Sequence, residues 1–494
     1  MKSQMYAQPA LKPAAVFAQS TTRAADAIAK FSTGLTFKEL PAAAIEAAKR
    51  SILDTLAVSV AGARSRTGQS AINAFAANGA GGASTVMGTK FTAHPSLAAL
   101  VNGTLGHALD FDDVWADDDG VVAWRGHPSV CVLPAILAAG EAEGCDGATA
   151  LLAYIIGVEI AGKLGTVFGP HAGRAGFHPT PLVGTIGAAA AVACVIKLDP
   201  KRVGTMLGLA ATEASGLARN FGTDTKPFHA GHAAQGGVQA ALLAREGFTA
   251  NAEAVTDFIR IHSGPGEADA AAVLSTLGKV WDIVAPGLSI KKYPCCRFAH
   301  LSLDATFNLL AQERFAATDV ETFTIRIQPG ADTALIYNEP RTGLEGKFSM
   351  EYALGAALLD GCVTLASFTD AMVQRPAVRA LMKRVRTEYK PEPGAEAVAR
   401  TARGEHRALA TVVRGDPANP LSWDELLQKC YQCLDGIVAT GRIDQLVDAV
   451  ERLEQLPDIR QLTALRRASS SLIPGPSPEG RRETIPSPSG RGLG

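Results

Sequence analysis

The chain has 494 residues, of which 47% are apolar and only 6% are aromatic. This length exceeds the size at which a single hydrophobic core stops growing, so two domains are expected. Lys and Arg total 47 against 48 acidic residues, a balance that gives no electrostatic reason to expect nucleic acid or an anionic membrane as a partner. An anionic ligand must therefore be recognised by a local arrangement of charges.

Helical patterns fill the chain from about residue 24 to about residue 217. Most begin at Pro or Ser and end near Gly, as helix termini do. Their interiors are rich in Ala and Gly, which lets helices approach closely. The predicted helical stretches are 24–61, in which Pro41 opens a segment that Gly62 closes, 94–112, 128–143, 147–164, 181–197 and 200–217. We therefore expect an all-helical bundle in this half.

The pattern changes after about Leu288. Residues 321–331 (ETFTIRIQPGA) alternate apolar and polar side chains and predict a strand. Residues 404–420 predict a second strand and a turn, and residues 348–361 predict a helix between them. Residues from about 285 to 415 thus have the pattern of a smaller α+β domain.

Helix is predicted again from Pro420 to about Leu462, with Ser422 as its N-terminal cap. Residues 466–494 are rich in Pro, Gly and Ser and predict a disordered tail.

The eight cysteines form no regular framework, so we expect reduced thiols. We find no convincing signal peptide and no charge-free apolar run of about 20 residues. A soluble, cytoplasmic protein is therefore expected. Cys430 and Cys433 lack a second CxxC pair and a nearby His, which argues against zinc. Cys295 and Cys296 are expected to line a site.

Basic side chains precede a proline at four places: His127, His178, Lys226 and the doublet Lys291-Lys292 with Tyr293-Pro294. A residue before Pro is driven out of the helical conformation, and Pro favours the first helical position. The basic groups are thus predicted at helix N-termini, which attract anions. This arrangement suits a substrate with several carboxylates. The alternative is a set of independent helix starts with solvated side chains.

Acidic residues cluster in Asp110-Phe111-Asp112-Asp113 and in residues 117–119. An Asp near His127 can orient the imidazole or act as a base. Alternatively, Asp112-Asp113-x-x-x-Asp117 is similar to the magnesium-binding motif of terpenoid synthases. This chain is poor in aromatic residues, however, and lacks their second motif. His229 and His232, three residues apart, are expected to have packing or supporting roles.

Five segments together resemble successive signatures of the MmgE/PrpD family, in the family's order. They are NGTLGHALDFDDVW followed by a His-Pro pair, GFHPTPLVGTIGAAAA, TKPFHAGHAAQGGVQAALLAREGFTA, KKYPCCRFAH and KFSMEYALGAALLDG. The resemblance covers about residues 25–465. It implies a mostly α fold, with a large all-helical domain formed by N- and C-terminal segments (22–284 and 416–465) and a smaller α+β lid domain (285–415). It also implies a homodimer and no metal or organic cofactor.

Matched position by position, the family's active-site Asp falls on Asp110 and its histidines on His127 and His178. Its lysines fall on Lys226 and, because of the doublet with Lys292, less securely on Lys291. The resemblance places the cleft between the two domains. The sequence departs from the decarboxylase branch at Val114, where that branch has Thr, and in the insertion-like residues 116–126.

The expected function is that of a cofactor-independent lyase that dehydrates or hydrates a small, 2-methylcitrate-like polycarboxylic acid by proton abstraction. Lys226 and Lys291 would bind carboxylates, His127 and His178 would serve as acid and base, and Asp110 would set a tautomer or share the proton. The alternatives are a cis-aconitate-type decarboxylase, an imino- or amino-dicarboxylate epimerase and a non-catalytic carboxylate-binding protein.

Overall fold

The computed structural model describes residues 24–115, 125–264, 268–313 and 315–465. The predicted tail and the acidic residues 117–119 lie outside these ranges. The fold is mostly α, as predicted. Helices of the first part of the chain are α1 Ala24–Gly34, α2 Ala42–Gly62, α3 Arg66–Gly79, α4 Pro95–His107, α5 Ser129–Glu143, α6 Gly147–Phe168, α7 His171–Arg174, α8 Pro179–Val195, α9 Pro200–Glu213, α10 Thr225–Arg245, α11 Ala254–His262 and α12 Ala270–Leu274.

The remaining helices follow residue 299. They are α13 His300–Gln312, α14 Gly343–Gly346, α15 Met350–Asp360, α16 Asp370–Val373, α17 Pro376–Met382, α18 Trp423–Leu434, α19 Thr440–Glu451 and α20 Arg460–Ala464. Two helix ends lie at the residues that the sequence predicted. Ser422 caps α18 by accepting a hydrogen bond from the Glu425 amide. Gly361 ends α15 with a φ of 66°.

Small residues let the helices around the site pack closely. Helix α10 packs against α4 and α8, and α8 also packs against α5 and α6. A Cβ atom on Gly231 of α10 would lie 2.1 Å from the carbonyl oxygen of Leu100 in α4. The two backbones can therefore cross at this distance only with glycine at this position. This crossing places the start of α10 beside the loop that follows α4.

Helix α6 is long and apolar enough, by length and composition, to cross a membrane. However, 89% of its apolar window is buried inside the protein. It also carries Glu159 and Lys163, both buried among protein partners. These are the properties of a core helix.

The prediction of an all-helical first half is wrong in two places. Strands β1 Ala80–Thr85 and β2 Thr92–Ala93 pair with each other, and β3 Val114–Trp115 pairs with β4 Leu288–Ser289. Because β3 and β4 are far apart in the chain, their short pairing gives no local period for a sequence to reveal. The pairing fixes the segment that follows Asp110 against the segment that precedes Lys291.

The chain between α13 and α18 forms a four-stranded sheet. Its strands are β5 Val320–Ile327, β6 Val385–Tyr389, β7 Ala395–Thr401 and β8 Gly404–Ala410, in the order β6-β5-β7-β8. Strands β5 and β6 are parallel, and β7 is antiparallel to β5 and β8. Strands β5 and β8 were predicted; β6 and β7 were missed. Helices α13 and α15 pack on the sheet and share a second hydrophobic core with it.

The C-terminal helices return to the first part of the chain. Helices α18 and α19 pack against α2, and α20 packs against α5. Their apolar side chains belong to the same core as most of those of residues 24–290, whereas the core around the sheet is separate. Residues 285–415, which contain the four-stranded sheet, are called the sheet unit below. Their exact boundaries and their role as a lid stay predictions.

Candidate active site

The structure brings all five predicted residues to one narrow cavity of about 60 Å³. The cavity lies where the two cores meet. Residues that belong to the helical part are Asp110, Val114, Gly126, His127, His178, Pro179, Thr180 and Lys226, and those contributed by or next to the other core are Phe221, Lys291, Cys296, Arg297, Phe298, Ala334 and Phe348. The prediction depended on segments far apart in the chain sharing a crevice, and they do share one.

The predicted helix N-termini are found for three of the four basic segments. His127 precedes the start of α5, and His178 is the N-cap of α8 in an extended conformation. Lys226 instead lies inside the first turn of α10, so Pro227 did not exclude it from the helix. Pro294 opens no helix, and the next element is a 3-10 turn at Arg297–Ala299. Lys291 therefore reaches the cavity from an irregular segment.

Two lysines share one oxygen of the Asp110 carboxylate. The Nζ atoms of Lys226 and Lys291 each lie 2.8 Å from Asp110 Oδ1, and all three residues are at most 5% exposed. Burial opposes ionisation of Asp110, but the two ammonium groups outweigh it and hold the pKa of Asp110 well below its usual range. The three groups together keep one net positive charge at the cavity.

The carboxylate that faces the histidines belongs to Asp112, not to Asp110. Nδ1 of His107 lies 2.9 Å and 3.0 Å from the two Asp112 oxygens, and Nδ1 of His127 lies 2.9 Å from Asp112 Oδ2. Burial raises the pKa of Asp112, but the neighbouring imidazoles outweigh this and hold it well below the usual range. The tautomer-setting role expected of Asp110 thus falls to Asp112.

These contacts define the protonation of His127. Its Nδ1 lies 2.9 Å from Asp112 Oδ2 and 2.9 Å from the carbonyl oxygen of Asp113. Both neighbours are acceptors, so Nδ1 carries the proton and Nε2 keeps its lone pair. Burial lowers the pKa of His127, so the imidazole is neutral near pH 7. A carboxylate behind an imidazole stabilises the imidazolium that forms when Nε2 takes a proton.

His107 and Asp112 were not among the predicted site residues. His107 is the last residue of α4, and its Nε2 atom is buried without a hydrogen-bond partner in the described part of the chain. Burial lowers the pKa of His107 to about 3. Both residues stand in the motif GHALDFDD, but nothing in the motif indicates which of its three Asp side chains would turn toward a histidine.

His178 lies on the other side of His107. The two rings are stacked, with centroids 5.9 Å apart, and the Phe221 ring is nearly perpendicular to the His178 ring, with centroids 5.0 Å apart. Nδ1 of His178 lies 3.1 Å from Nδ1 of His229, so one ring donates to the other. Burial, followed by the charge of Lys226, lowers the pKa of His178 well below its usual value. His229 therefore supports His178, as the sequence predicted.

The surroundings of Asp113 raise its pKa, whereas those of Asp112 lower it. It is fully buried and accepts a hydrogen bond of 2.7 Å from Ser129 Oγ, which is also 2.6 Å from the hydroxyl of Tyr154. Burial and the nearby Asp54 and Asp112 carboxylates outweigh this bond and raise the pKa of Asp113 to about 8. Adjacent aspartates are thus held in different protonation states near pH 7.

Four side chains, His107, Asp110, Asp112 and His127, have possible ligand atoms within 4.8 Å of one another. Their chemistry fits an ion-paired cluster better than a metal site. The imidazole Nδ1 atoms already donate to Asp112, and two ammonium groups lie 2.8 Å from Asp110. A cation placed here would be repelled by Lys226 and Lys291.

The terpenoid synthase alternative requires Asp112 and Asp113 to bind a metal ion, and the structure does not favour this. Asp112 and Asp113 are fully buried and engaged by histidines and by Ser129. Of the cysteines, Cys296 lines the cavity, and burial raises its pKa to about 11. Cys430 and Cys433 are buried free thiols. A thiol with a raised pKa is a poor nucleophile, so these cysteines act as packing groups.

The fold and the cavity define a buried acid–base site with surplus positive charge, suited to a small polycarboxylate. A family model described as the MmgE/PrpD N-terminal domain matches residues 26–266, and one described as the MmgE/PrpD C-terminal domain matches residues 293–455. The chain belongs to the MmgE/PrpD family, as the sequence motifs indicated.

Similar proteins include cis-aconitate decarboxylases. The one from Mus musculus is 29% identical over 462 residues, which cover 88% of this chain and 92% of that protein. The one from Homo sapiens is 29% identical over 471 residues, covering 90% and 93% respectively. One from Aspergillus terreus is 25% identical over 472 residues, covering 89% and 94%.

Proposed function

We propose that this protein is a lyase that decarboxylates cis-aconitate or a close structural relative, without a cofactor. The lyase class follows from the family and from relatives named cis-aconitate decarboxylase, which this chain matches over most of their length. The observation that carries the proposal is the buried cavity that joins Lys226, Lys291 and the Asp112–His127 pair. The 2-methylcitrate dehydratase expected from the sequence becomes the second candidate, since the relatives above carry the decarboxylase name.

The chemistry needs one proton and releases one molecule of carbon dioxide. The carboxylate on the saturated carbon leaves as carbon dioxide, and its bonding electrons form a double bond to the central carbon. The original double bond then shifts its electrons to the far carbon, where negative charge spreads into the attached carboxylate. That carbon takes a proton and completes an unsaturated dicarboxylate.

Each part of the site fits one of these needs. Lys226 and Lys291 stabilise the carboxylate that gains charge, in a cavity where little water screens the attraction. The incoming carboxylates add negative charge beside His127 and raise its pKa, so that its Nε2 atom becomes protonated and can deliver the proton. Asp112 stabilises that imidazolium. His178 donates a hydrogen bond to a carboxylate on the opposite side.

A further carboxylate needs a further cation, and Arg297 lines the same cavity. Its Nη2 atom lies 2.8 Å and 2.6 Å from the two oxygens of Asp416, while its Nε atom is buried without a partner in the described residues. Arg297 can therefore hold one substrate carboxylate through Nε and remain anchored to Asp416.

The sheet unit is proposed to act as a lid. Ligand pockets usually enclose about 300–1,000 Å³, whereas the cavity measures about 60 Å³. A tricarboxylate thus enters only if the walls separate. The wall formed by Arg297 and Phe298 is on the side of the sheet and can move away from the helical part.

The homodimer implied by the resemblance stays a prediction. Apolar side chains on and just after α10 support it: Phe228 is 42% exposed, Leu243 41% and Phe248 56%. Contiguous exposed apolar patches are typical of interfaces. Light scattering after size exclusion measures the mass directly.

The proposed function is tested by incubation with cis-aconitate in heavy water, followed by proton NMR and trapping of carbon dioxide. We expect carbon dioxide and an unsaturated dicarboxylate with one deuterium on its saturated carbon. The His127→Ala variant is the control for uncatalysed loss. Release of water from 2-methylcitrate without carbon dioxide would identify a dehydratase. Deuterium exchange into an iminodicarboxylate with an intact skeleton would identify an epimerase, and tight binding without exchange a binding protein.

A further inference from the structure

Three consecutive carbonyl oxygens around Asp110 each accept a hydrogen bond from a different buried lysine. The bonds are Lys347 Nζ to Leu109 O at 2.6 Å, Lys291 Nζ to Asp110 O at 3.0 Å and Lys429 Nζ to Phe111 O at 2.8 Å. Only Lys291 among these lysines lines the cavity. The other two are left without a role by the proposed chemistry.

Lys347 and Lys429 also bind the segment that carries Lys291. Lys347 Nζ donates to the carbonyl oxygen of Pro294 at 2.7 Å, and Lys429 Nζ donates to the carbonyl oxygen of Lys291 at 2.9 Å. Each ammonium group thus joins the Asp110 turn, residues 109–111, to the Lys291 segment, residues 291–294. These are the two pieces of chain that form the Asp110–Lys291 ion pair.

The two lysines come from different parts of the fold. Lys347 follows α14 in the sheet unit, whereas Lys429 is in α18, near the C-terminus. Each is only 5% exposed. Lys347 Nζ lies 4.7 Å from the ring centroid of Phe368, and Lys429 Nζ lies 2.6 Å from Asp54 Oδ1. Burial of an ammonium group is costly, and an apolar side chain of similar volume often gives equal or higher stability.

The Asp110 turn needs such support because its backbone is unusual. Asp110 has a φ of 51°, in the left-handed region that side chains other than glycine rarely adopt. This conformation points successive carbonyl groups in different directions, which makes room for three separate ammonium groups. Without those bonds, the turn can relax to an ordinary conformation and move the Asp110 carboxylate away from Lys226 and Lys291.

We propose that Lys347 and Lys429 are positioning residues that clamp the Asp110 turn to the Lys291 segment and so set the spacing of the cations that bind the substrate. They act through Asp110 and Lys291 and do not contact the substrate. Lys347 connects this arrangement to the sheet unit, and Lys429 connects it to the helical part. The inference rests on the proposed function, because it assigns the clamped groups to polycarboxylate binding.

Two clamp variants are tested. The first is Lys347→Met. The second is a double variant that carries both Lys429→Met and Asp54→Asn, so that no buried carboxylate loses its cation. The matched control is Lys163→Met with Asp282→Asn. Lys163 is also a buried lysine, paired with Asp282 and bonded to the Val280 carbonyl, but none of its partners contacts Asp110. Melting temperature, kcat with cis-aconitate and calorimetric binding of tricarballylate, a saturated tricarboxylate, are measured for each protein.

We expect kcat of both clamp variants to fall about 10²-fold, the effect of a displacement of about 1 Å, and tricarballylate to bind more weakly. The control should stay within about threefold of the wild type in both measurements. Lys347→Arg, which restores charge and donors, should recover most of the lost kcat. A recovery of this kind is not expected if the lysine serves only to fill space.

Values of kcat and binding in the clamp variants that match the control would overturn the inference. If Lys347→Met does not fold, Lys347→Gln is measured in the same way, and failure of both to fold would assign Lys347 a structural role and overturn it as well. Wild-type protein that binds tricarballylate but releases no carbon dioxide refutes the decarboxylase alone, and the clamp is then judged by binding. Wild-type protein that does not bind tricarballylate refutes both.

Discussion

Replacement of Asp112 by Asn tests the proposed acid–base pair most directly. The Asp112 carboxylate accepts from Nδ1 of both His107 and His127. An Asn side chain of the same size has one acceptor oxygen and one donor NH₂ group. One of the two imidazoles then faces a donor and has to place its proton on Nε2. His127 also loses the negative charge that stabilises its imidazolium.

The size of the effect can be estimated from this geometry. The equivalent change of Asp to Asn behind a catalytic histidine lowers kcat about 10⁴-fold through the wrong tautomer, and loss of a general acid or base costs about 10²–10⁴. We therefore expect kcat to fall by about 10²–10⁴, or about 3–5 kcal/mol in activation free energy. KM should stay within about threefold, because Lys226 and Lys291 keep their places.

Asp113→Asn is the matched control, one residue away. The pKa of Asp113 is raised to about 8 by burial, so this side chain is mainly protonated at pH 7 and already resembles a neutral amide. Its kcat should remain within about threefold of the wild-type value. Initial rates of carbon dioxide release at pH 7 measure both variants. Equal losses in the two variants, or an unchanged kcat in Asp112→Asn, would refute the roles assigned here.

Three further predictions concern the cavity and the buried residues around it. His127→Ala should lower kcat by about 10²–10⁴ through loss of the proton donor, and His178→Ala by about 10²–10³ through loss of a hydrogen-bond donor, while the melting temperature stays near that of the wild type; unchanged turnover in both would reject these two roles. Folding raises the pKa of Asp113 to about 8, so between about pH 4 and pH 8 the folded state retains a proton that the unfolded state releases. The stability that Asp113 contributes is therefore present at low pH and is lost as the pH rises from about 4 to about 8. Thermal unfolding of Asp113→Asn should therefore show a smaller loss of melting temperature over that interval than the wild type, and parallel curves would contradict this. Arg297→Gln should raise KM for cis-aconitate about tenfold or more with little change in kcat, as expected for uniform loss of a carboxylate contact, and a steady-state titration in which only kcat falls would exclude that role.

Local signals in the sequence were sufficient where a short segment determines its own conformation. The Ser422 cap and the glycine that ends α15 lie where they were predicted, and the helix after His178 begins at Pro179, two residues before its predicted start. Signals of this kind depend on neighbours a few residues away. The same reasoning failed at Pro294, because the residue before a proline can be extended with no helix after it.

The ordered motifs also indicated the family and the residues of the cavity, although residue types alone left their roles open. Strands β6 and β7 were missed, since a strand that pairs with distant neighbours need not alternate strictly. Strand β7, for example, has three successive buried positions from residue 397 to residue 399.

Only the tertiary structure decided what each Asp of the motif does. Asp110, Asp112 and Asp113 lie within four residues of one another, yet the first binds two lysines, the second binds two histidines and the third has a pKa of about 8. Asp110 and Asp112 have carboxylate oxygens within 4.8 Å of each other, yet they face different partners. The protonation of a buried carboxyl depends on which charges surround it, and here those charges come from residues up to 181 positions away in the chain.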